Sequence, residues 1–376
     1  MPGINATQIA RVRGYLPPHR YSQDELVSYT IDILGEQLGR PAKEGVVRRM
    51  FANAGVQARH LTMPLDYYRQ QRTIVEALAD VQRAVLDLGT TAITETLAEA
   101  GVAPGEVDML AVTSSLALGT PTIDFELAER TGLRPDVRRL PLGPSGCSGG
   151  AALVAWMHAY LAAHPDRLAV GFVADLPWFA GRLAPPQLSR IVESALLGDG
   201  GAVIVMAGAE RAAPGLVTPW VLDSTSAIWP NSRDDVYWRL EEGSLTSGMS
   251  QRTVDAAEES MPVVVDKLLA GRALAVADID AWVMHPGSLK VLQHIAAALG
   301  IKEDALEDSR RVLSRAGNMS GATVLHVLAE AGQSPRPEGT WGLLAALGPG
   351  LVCEAALLRW GTAATMATPA LAGAAM

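Results

Sequence analysis

Pro144-Ser145-Gly146-Cys147-Ser148-Gly149-Gly150 is the stretch whose reading decides the fold. It places one of the chain's two cysteines between glycines, directly before the apolar run 151–163 (AALVAWMHAYLAA), which has the length and residue types of a buried helix. Upstream, residues 138–142 read as a strand, so Cys147 falls on a strand-to-helix turn and opens the helix. Glycines at such a turn let the backbone take positive φ and let a substrate approach closely. Unpaired N–H groups at a helix N-terminus favour negative charge, which predicts a lowered thiol pKa and a raised thiolate fraction near neutral pH. Free cysteine is also among the most buried residue types, so on this stretch alone nucleophile and core residue are evenly balanced readings.

The whole chain bounds what such a turn can serve. Its 376 residues, 49% of them hydrophobic, can build one large domain or two intimately packed ones around a sizeable core. Lys and Arg number 31 against 40 Asp and Glu, a net charge of −9 with no long basic run, which argues against nucleic-acid binding and for an acidic cytoplasmic enzyme. Cysteines at 147 and 353 make no disulfide framework and suggest a reducing compartment. Residues 1–20 hold Arg11 and Arg13 but no apolar signal core, and no window approaches the ~18 apolar residues of a membrane span. The seven histidines are scattered without metal-ligand spacing, so no metal is expected.

Outward from the turn, strands and helices alternate. Residues 5–14 read as a strand broken by Pro17-Pro18, and Ser22 stands three before Glu25, a capping-box spacing that starts a helix to about Leu38. Residues 44–54 form a second helix with Arg48 and Arg49 exposed. Residues 73–100 form a long core helix with a jog placed at Gly89. A buried strand (107–113), a small-residue loop (114–122) and a helix (123–130) precede the cysteine turn. A strand (167–173), a loop with two aromatics (177–186) and a strand (198–206) follow its helix. The second half repeats this grammar. Strand 279–284 ends on His285-Pro286-Gly287-Ser288, helix 289–299 follows, and Ala316-Gly317-Asn318-Met319-Ser320-Gly321 opens a helix to Ala331. Strands 341–347 and 351–358 flank Gly348-Pro349-Gly350. The pattern predicts a layered α/β fold of two pseudo-duplicated halves, 1–225 and 226–361, with a low-complexity tail at 362–376 expected to fray.

Three reactive residue types stand at comparable places: Cys147 on its turn, His285 at a strand end and Asn318 at a helix mouth. A histidine at a strand end is often structural, and an asparagine after glycine is often an ordinary N-cap. Neighbouring glycines leave open space around both, where packing would favour bulk. His285 can hold a Cys147 thiolate as an ion pair and later donate a hydrogen bond, while Asn318 supplies an uncharged N–H donor. Two donors aimed at one oxygen make an oxyanion site. With no carboxylate base in the pattern, the reaction should stabilise negative charge more than shuttle protons.

Taken in order, PSGCSGG at 144–150, Gly198-Asp199-Gly200, HPGS at 285–288, GNMSGA at 317–322 and GPGL at 348–351 resemble the type III polyketide synthases, the chalcone-synthase-like branch of the thiolase superfamily. The likeness runs from about Arg59-His60 to Leu358. The β-ketoacyl carrier-protein synthases III share the Cys, His and Asn types, but their histidine is usually followed by Gln-Ala-Asn where this chain has Pro-Gly-Ser. The resemblance implies a five-layered αβαβα thiolase fold, its first half carrying Cys147 and its second His285 and Asn318. It implies CoA thioesters as substrates, with no further cofactor. Cys147 would take an acyl group from a starter acyl-CoA; His285 and Asn318 would bind the thioester carbonyl of malonyl-CoA and stabilise the enolate formed as carbon dioxide leaves. Repeated Claisen condensations would give a poly-β-keto chain that closes to a phenol or pyrone. Such donors act on charge that exists only as the C–C bond breaks, which raises a rate and not merely an affinity.

Further positions follow from the resemblance alone. Phe179, or Trp178 one residue away, corresponds to a gatekeeper aromatic; Ser320 is the small residue beside Asn318, and Gly287 lies along the pantetheine arm. Arg49 matches one of a basic set that holds the CoA phosphates, with Val46 and Asn53 in the other two places and Arg48 alongside. Trp238 replaces a cavity-shaping glycine of chalcone synthase and Ser247 a second gatekeeper phenylalanine of plant members, which implies a microbial-type cavity. Thr120, before Pro121, stands where chalcone synthase reaches across a dimer interface, so a homodimer is implied. Two other readings are a carrier-protein-dependent synthase III and an inactive thiolase-fold subunit that only dimerises or binds a ligand. The second is disfavoured because all three reactive types are present.

Overall fold

A computed structural model describes residues 6–38, 44–70, 72–181, 190–241, 244–250 and 252–367. Strand β1 (Thr7–Tyr15) runs through the middle of the sheet, and β2 (His19–Ser22) and β3 (Ala58–Leu61) pair beside it around α1 (Gln23–Leu38) and α2 (Glu44–Asn53). The capping box forms: the Ser22 N–H donates to the Glu25 carboxylate at 2.7 Å and the Glu25 N–H donates to Ser22 Oγ at 3.3 Å. Helix α3 (Ile74–Ala100) begins with a second such box at Thr73 and ends on Gly101 in the left-handed conformation. It runs unbroken through Gly89, where a side chain would strike Phe172 and Leu127, so that glycine serves close packing and makes no jog.

The chain continues through β4 (Met109–Thr113), α4 (Ile123–Arg130), β5 (Arg138–Leu142), α5 (Gly149–Ala163), β6 (Leu168–Asp175), α6 (Pro177–Gly181), α7 (Arg190–Leu196) and β7 (Gly200–Ala207). There follow β8 (Thr218–Ile228), the hairpin β9 (Val236–Glu241) and β10 (Ser244–Met249), α8 (Arg252–Ala270), β11 (Ala281–Met284), α9 (Leu289–Leu299) and α10 (Glu307–Ala316). Last come α11 (Ala322–Ala331), β12 (Trp341–Gly348), β13 (Val352–Gly361) and α12 (Ala363–Ala367).

Nine strands form one mixed sheet in the order β11-β12-β13-β8-β1-β7-β6-β4-β5. Its two halves join at β1 and β8 through only two residue pairs, Thr7 with Val221 and Gln8 with Trp220. Three apolar clusters show how the layers stack. On one outer face α3 sets Val81, Val85, Ile93 and Leu97 against Phe172, Val203 and Val205. In the centre, α5 (Leu153, Val154, Met157) and α11 (Val324, Leu325, Leu328) lie between Val173 and Ile204 of one half-sheet and Val283, Leu344 and Leu358 of the other. On the far face α8 and α9 pack Val264, Leu268, Leu292 and Ile295 onto Trp282, Leu343 and Leu357. The result is the five-layered αβαβα thiolase fold. Helix α5 is apolar around most of its circumference because sheet covers it on both sides.

Three departures from the sequence reading have local causes. Residues 177–181 form α6 instead of loop, because Asp199 accepts the backbone N–H groups of Trp178 and Phe179; the rest of that stretch, to Pro186, lies outside the described residues. Strand β8, the β9–β10 hairpin and α8 gave weak signals: β8 mixes polar and apolar residues without clean alternation, and α8 carries Pro262 inside it. The expected tail holds the short α12, tied to the body where Glu338 accepts hydrogen bonds from Thr362 and Thr365; residues 368–376 lie outside the described residues. Among the described residues no helix is long and apolar enough to cross a membrane.

Candidate active site

Helices α5 and α11 meet at their N-termini because two glycines let them. A side chain on Gly150 would stand 2.2 Å from the Gly321 carbonyl oxygen, and one on Gly321 would stand 2.8 Å from that of Gly146. Nothing larger than hydrogen fits at this crossing. The contact presses the turn that carries Cys147 against the loop 318–320.

Cys147 sits in a short 3₁₀ turn (Gly146–Ser148) that runs into α5, as the sequence reading required. The Ser320 hydroxyl and the Asn318 carboxamide are hydrogen-bonding neighbours of its thiol. The residue keeps part of its surface open. Burial of the sulfur nevertheless pushes the thiol up to about 11; the Ser320 and Asn318 hydrogen bonds pull it down, and the Asp175 charge pushes it further up. Burial thus raises the thiol's pKa where the helix N-terminus alone led to the expectation of a lowered one.

Asn318 is held from both ends. Its backbone N–H donates to Leu196 O at 2.9 Å and its carbonyl accepts from the Gly198 N–H at 3.0 Å, so the end of α7 grips the loop. Asn318 Oδ1 accepts from the Ser320 N–H at 2.8 Å, and Nδ2 donates to Gly287 O at 3.1 Å. This network fixes which side-chain atom is nitrogen. Ser320 adopts φ 53°, a strained value for a residue with a side chain, and the Asn318 bond holds it there.

His285 follows β11, its N–H donating to Ala345 O at 2.9 Å. Both ring nitrogens are buried and have no hydrogen-bond partner among the described residues. Burial pushes the imidazole down to about 4, so it is neutral at pH 7. The thiol and the imidazole are thus both neutral at pH 7, in place of the expected ion pair. A side chain on Gly287 would lie 3.9 Å from the His285 ring, so the Asn318–Gly287 bond ties the Cys147 neighbourhood to the His285 loop.

The remaining predicted positions divide. Phe179 and Trp178 are each 1% exposed. Phe179 stacks edge-on to Tyr68 at 5.7 Å and tilts on Tyr67 at 5.6 Å, and Trp178 lies beneath the Arg59 guanidinium at 5.5 Å. Both are buried among aromatic and apolar side chains. Arg49 is exposed on α2 and makes no ion pair among the described residues, whereas Arg48 is tied to Glu44 at 2.6 Å. Thr120 is exposed in the loop before α4 and precedes a cis proline. Trp238 packs, partly buried, on the cluster that contains Phe179. Ser247 stands opposite it in the hairpin and donates to Glu193 Oε1 at 2.5 Å, so it is a bonded group and not simply a gap.

Two residues here escaped the sequence reading. Asp175 ends β6, its carboxylate accepting the Ser115 N–H at 2.7 Å and the Gly321 N–H at 2.9 Å; burial raises its pKa against those bonds. An acid closing an otherwise apolar strand was the available signal. Arg59 is wholly buried and donates to the carbonyls of Ser194, Ala195 and Leu197 at 2.6–2.8 Å, placing a cation at the C-terminal end of α7 next to the residues that grip Asn318. No pattern in the four-residue strand Ala58–Leu61 marked it out, since His60 stands beside it.

Comparison with known proteins agrees with this geometry. Residues 16–210 match the N-terminal domain, and residues 221–361 the C-terminal domain, of chalcone and stilbene synthases. The chain is 34% identical over 355 residues to a 1,3,6,8-tetrahydroxynaphthalene synthase of Streptomyces peucetius subsp. caesius, covering 94% of this chain and 93% of that one. It is 27% identical over 363 residues to a 3,5-dihydroxyphenylacetyl-CoA synthase of Amycolatopsis balhimycina, covering 94% and 93%. Among solved structures, the tetrahydroxynaphthalene synthase of Streptomyces coelicolor A3(2), a bacterial type III polyketide synthase, superposes with a TM-score of 0.86 over 94% of this chain and 99% of that one, at 21% identity.

Proposed function

We propose, from the premise that this chain belongs to the chalcone and stilbene synthase family and is a type III polyketide synthase, that Cys147 carries the growing acyl chain while His285 and Asn318 bind the thioester oxygen of malonyl-CoA. One observation carries the assignment. Asn318 lies beside the Cys147 thiol, whose pKa it lowers, and its Nδ2 donates to Gly287 O, on the loop whose histidine has two buried ring nitrogens without a hydrogen-bond partner among the described residues. A buried polar group without a partner is costly, and a substrate oxygen would relieve it.

In the loading step, Cys147 Sγ attacks the carbonyl carbon of the starter thioester and its proton passes to His285. His285 then gives that proton to the departing CoA sulfur, leaving an acyl-cysteine and free CoA. With the imidazole neutral again, one of its ring nitrogens carries a hydrogen and the Asn318 carboxamide carries another. Both donate to the malonyl thioester oxygen. As the C–C bond to the carboxylate breaks, carbon dioxide leaves and the electron pair spreads onto that oxygen as an enolate. Its α-carbon attacks the acyl-cysteine carbonyl, the Cys147 sulfur departs and takes up a proton, and a chain two carbons longer remains on CoA for the next round. Donors placed for charge that develops only in the transition state are worth about 10²–10³ in rate each.

Arg49, free of an ion pair among the described residues, is the cation available to the CoA phosphates. The relatives' names point to aromatic products, and a phenol or pyrone is inferred here. The working unit is inferred to be a homodimer. The test is to incubate the purified protein with labelled malonyl-CoA and a panel of acyl-CoAs, without carrier protein, and to identify products by mass. Phenols or pyrones are expected. Activity that depends strictly on acyl carrier protein would replace this reading with that of a synthase III, and binding without any condensation would replace it with that of an inactive subunit.

A further inference from the structure

Arg59 enters the core from β3, and none of its surface is exposed. Taking a guanidinium out of water is costly unless hydrogen bonds replace the water, so its partners indicate what the arginine is for. They are the last carbonyls of α7. A helix ends with carbonyls that have no partner in their own ladder. In α7 the Glu193 carbonyl still accepts the Leu197 N–H at 2.8 Å, and the carbonyls of residues 194–197 lie beyond that last bond. Arg59 Nη1 donates to Ser194 O at 2.7 Å and to Leu197 O at 2.8 Å, and Nη2 donates to Ala195 O at 2.6 Å. The remaining one, Leu196 O, accepts the Asn318 N–H at 2.9 Å. One buried cation and one backbone amide thus cap this helix end between them. Beyond the cap, backbone meets backbone. Leu197 and Asn318 form a parallel bridge, and the Gly198 N–H donates to Asn318 O at 3.0 Å. A side chain on Gly317 would stand 2.8 Å from Leu196 O, and one on Gly198 would stand 2.4 Å from Ala316 O. With glycine on both sides, the two stretches meet without side chains to absorb a shift, so moving the end of α7 moves Asn318.

We propose that Arg59 is a positioning residue for the decarboxylation step: by holding three carbonyls at the end of α7, it fixes the backbone that carries Asn318 and so the aim of the Asn318 carboxamide. This rests on the polyketide-synthase reading above. The chemistry of the cap suits the role. A guanidinium is planar and presents its N–H groups in a fixed fork, so three carbonyls held by one fork keep one arrangement. Gln23 steadies the fork. Its Oε1 accepts from Arg59 Nη2, while its Nε2 donates to Phe51 O at 3.0 Å and to Ala195 O at 3.2 Å. The rings of Phe51 and Trp178 lie 5.8 and 5.5 Å from the guanidinium carbon and complete the seat. These bonds run to the Asn318 side of the centre, so loosening them falls on the donor that stabilises the enolate.

The test uses the full-length enzyme and malonyl-CoA labelled in its free carboxylate, reading carbon dioxide release with malonyl-CoA as the sole substrate. Arg59→Lys keeps the charge but loses the fork. A misplacement of about 1 Å can cost about 10²-fold in rate, so a shift of about half that should lower kcat for release about tenfold. KM should stay within about twofold of wild type, because the lost interaction belongs to the transition state. The double-mutant cycle with Asn318→Ala separates positioning from damage. In the Asn318→Ala background, Arg59→Lys should change the remaining release by less than about twofold, since no carboxamide is left to misplace. Gln23→Ala releases one arm of the fork and leaves the arginine in place; it should show the same pattern at about threefold, and it decides the matter where Arg59→Lys fails to fold. An equal fall in both backgrounds would overturn the proposal, because general damage to α7 does not depend on the Asn318 side chain. Wild-type kcat in Arg59→Lys and Gln23→Ala alike would overturn it too. Wild-type enzyme that releases no carbon dioxide, or Asn318→Ala that releases it at the wild-type rate, would overturn the parent reading instead, a result separable from failure of the cap.

Discussion

The reacting centre and the β9–β10 hairpin lie at opposite ends of one short helix and are built on opposite principles. Around Asn318, backbone and side chain are bonded to α7, to the Gly287 carbonyl and to the Ser320 amide, and two glycines set the crossing of α5 and α11 to within an atom's width. The hairpin has its own ladder, apolar contacts from Trp238 and Leu245, and a hydrogen bond from Ser247 to Glu193. An over-determined centre can hold three groups at one geometry through many substitutions elsewhere. A weakly tied hairpin can move by small steps without unfolding anything. The difference separates a centre whose geometry is fixed by many bonds from an element that can shift at little cost.

The comparison breaks most visibly at the sulfur. Cys147→Ala should abolish condensation, a loss beyond about 10³-fold, because it removes the sulfur that takes up the acyl group. Carbon dioxide release from malonyl-CoA should survive, since its donors remain. Asn318→Ala should lower that release by about 10²–10³-fold, as removal of an oxyanion donor does. Radiolabelled bicarbonate trapping separates the two variants. Condensation by Cys147→Ala, or full decarboxylation by Asn318→Ala, would show that the tightly bonded centre is structural and that the chemistry lies elsewhere.

Phe179 sharpens the boundary between the regions. Buried at 1% exposure between Tyr67 and Tyr68, it should behave as a core residue, so that Phe179→Ala lowers stability by about 3–5 kcal/mol in thermal unfolding. A variant with an unchanged melting temperature and an altered choice of starter would return Phe179 to the gate and make the aromatic cluster part of the selective surface.

The layered fold and the reactive trio were legible because each leaves a local mark. Apolar runs punctuated by glycine announce buried strands and helices, and Cys147, His285 and Asn318 all stand beside glycines that a well-packed core would not choose. What stayed hidden depends on distance in the chain. Asp175 and Arg59 matter through backbone amides and carbonyls more than 100 residues away, and no spacing rule reaches that far. Ser247 was readable as a small residue but not as a hydrogen-bond donor, because its partner lies 54 residues away on another element. The thiol pKa was misread for a related reason: the helix dipole is visible in sequence, whereas desolvation depends on every layer that folds over the sulfur.

That misreading yields the subtlest prediction. With the thiol near 11 and the imidazole near 4, neither group of that pair is charged at pH 7, and the thiolate fraction rises with every unit of pH up to about 11. Alkylation of Cys147 by iodoacetamide should therefore accelerate about tenfold per pH unit between pH 7 and 9, without a plateau. Cys353 does not confuse the readout, being buried and pushed up to about 12. A resting thiolate–imidazolium pair would give a rate already level above the thiol's depressed pKa, and that profile would return the helix dipole to first place.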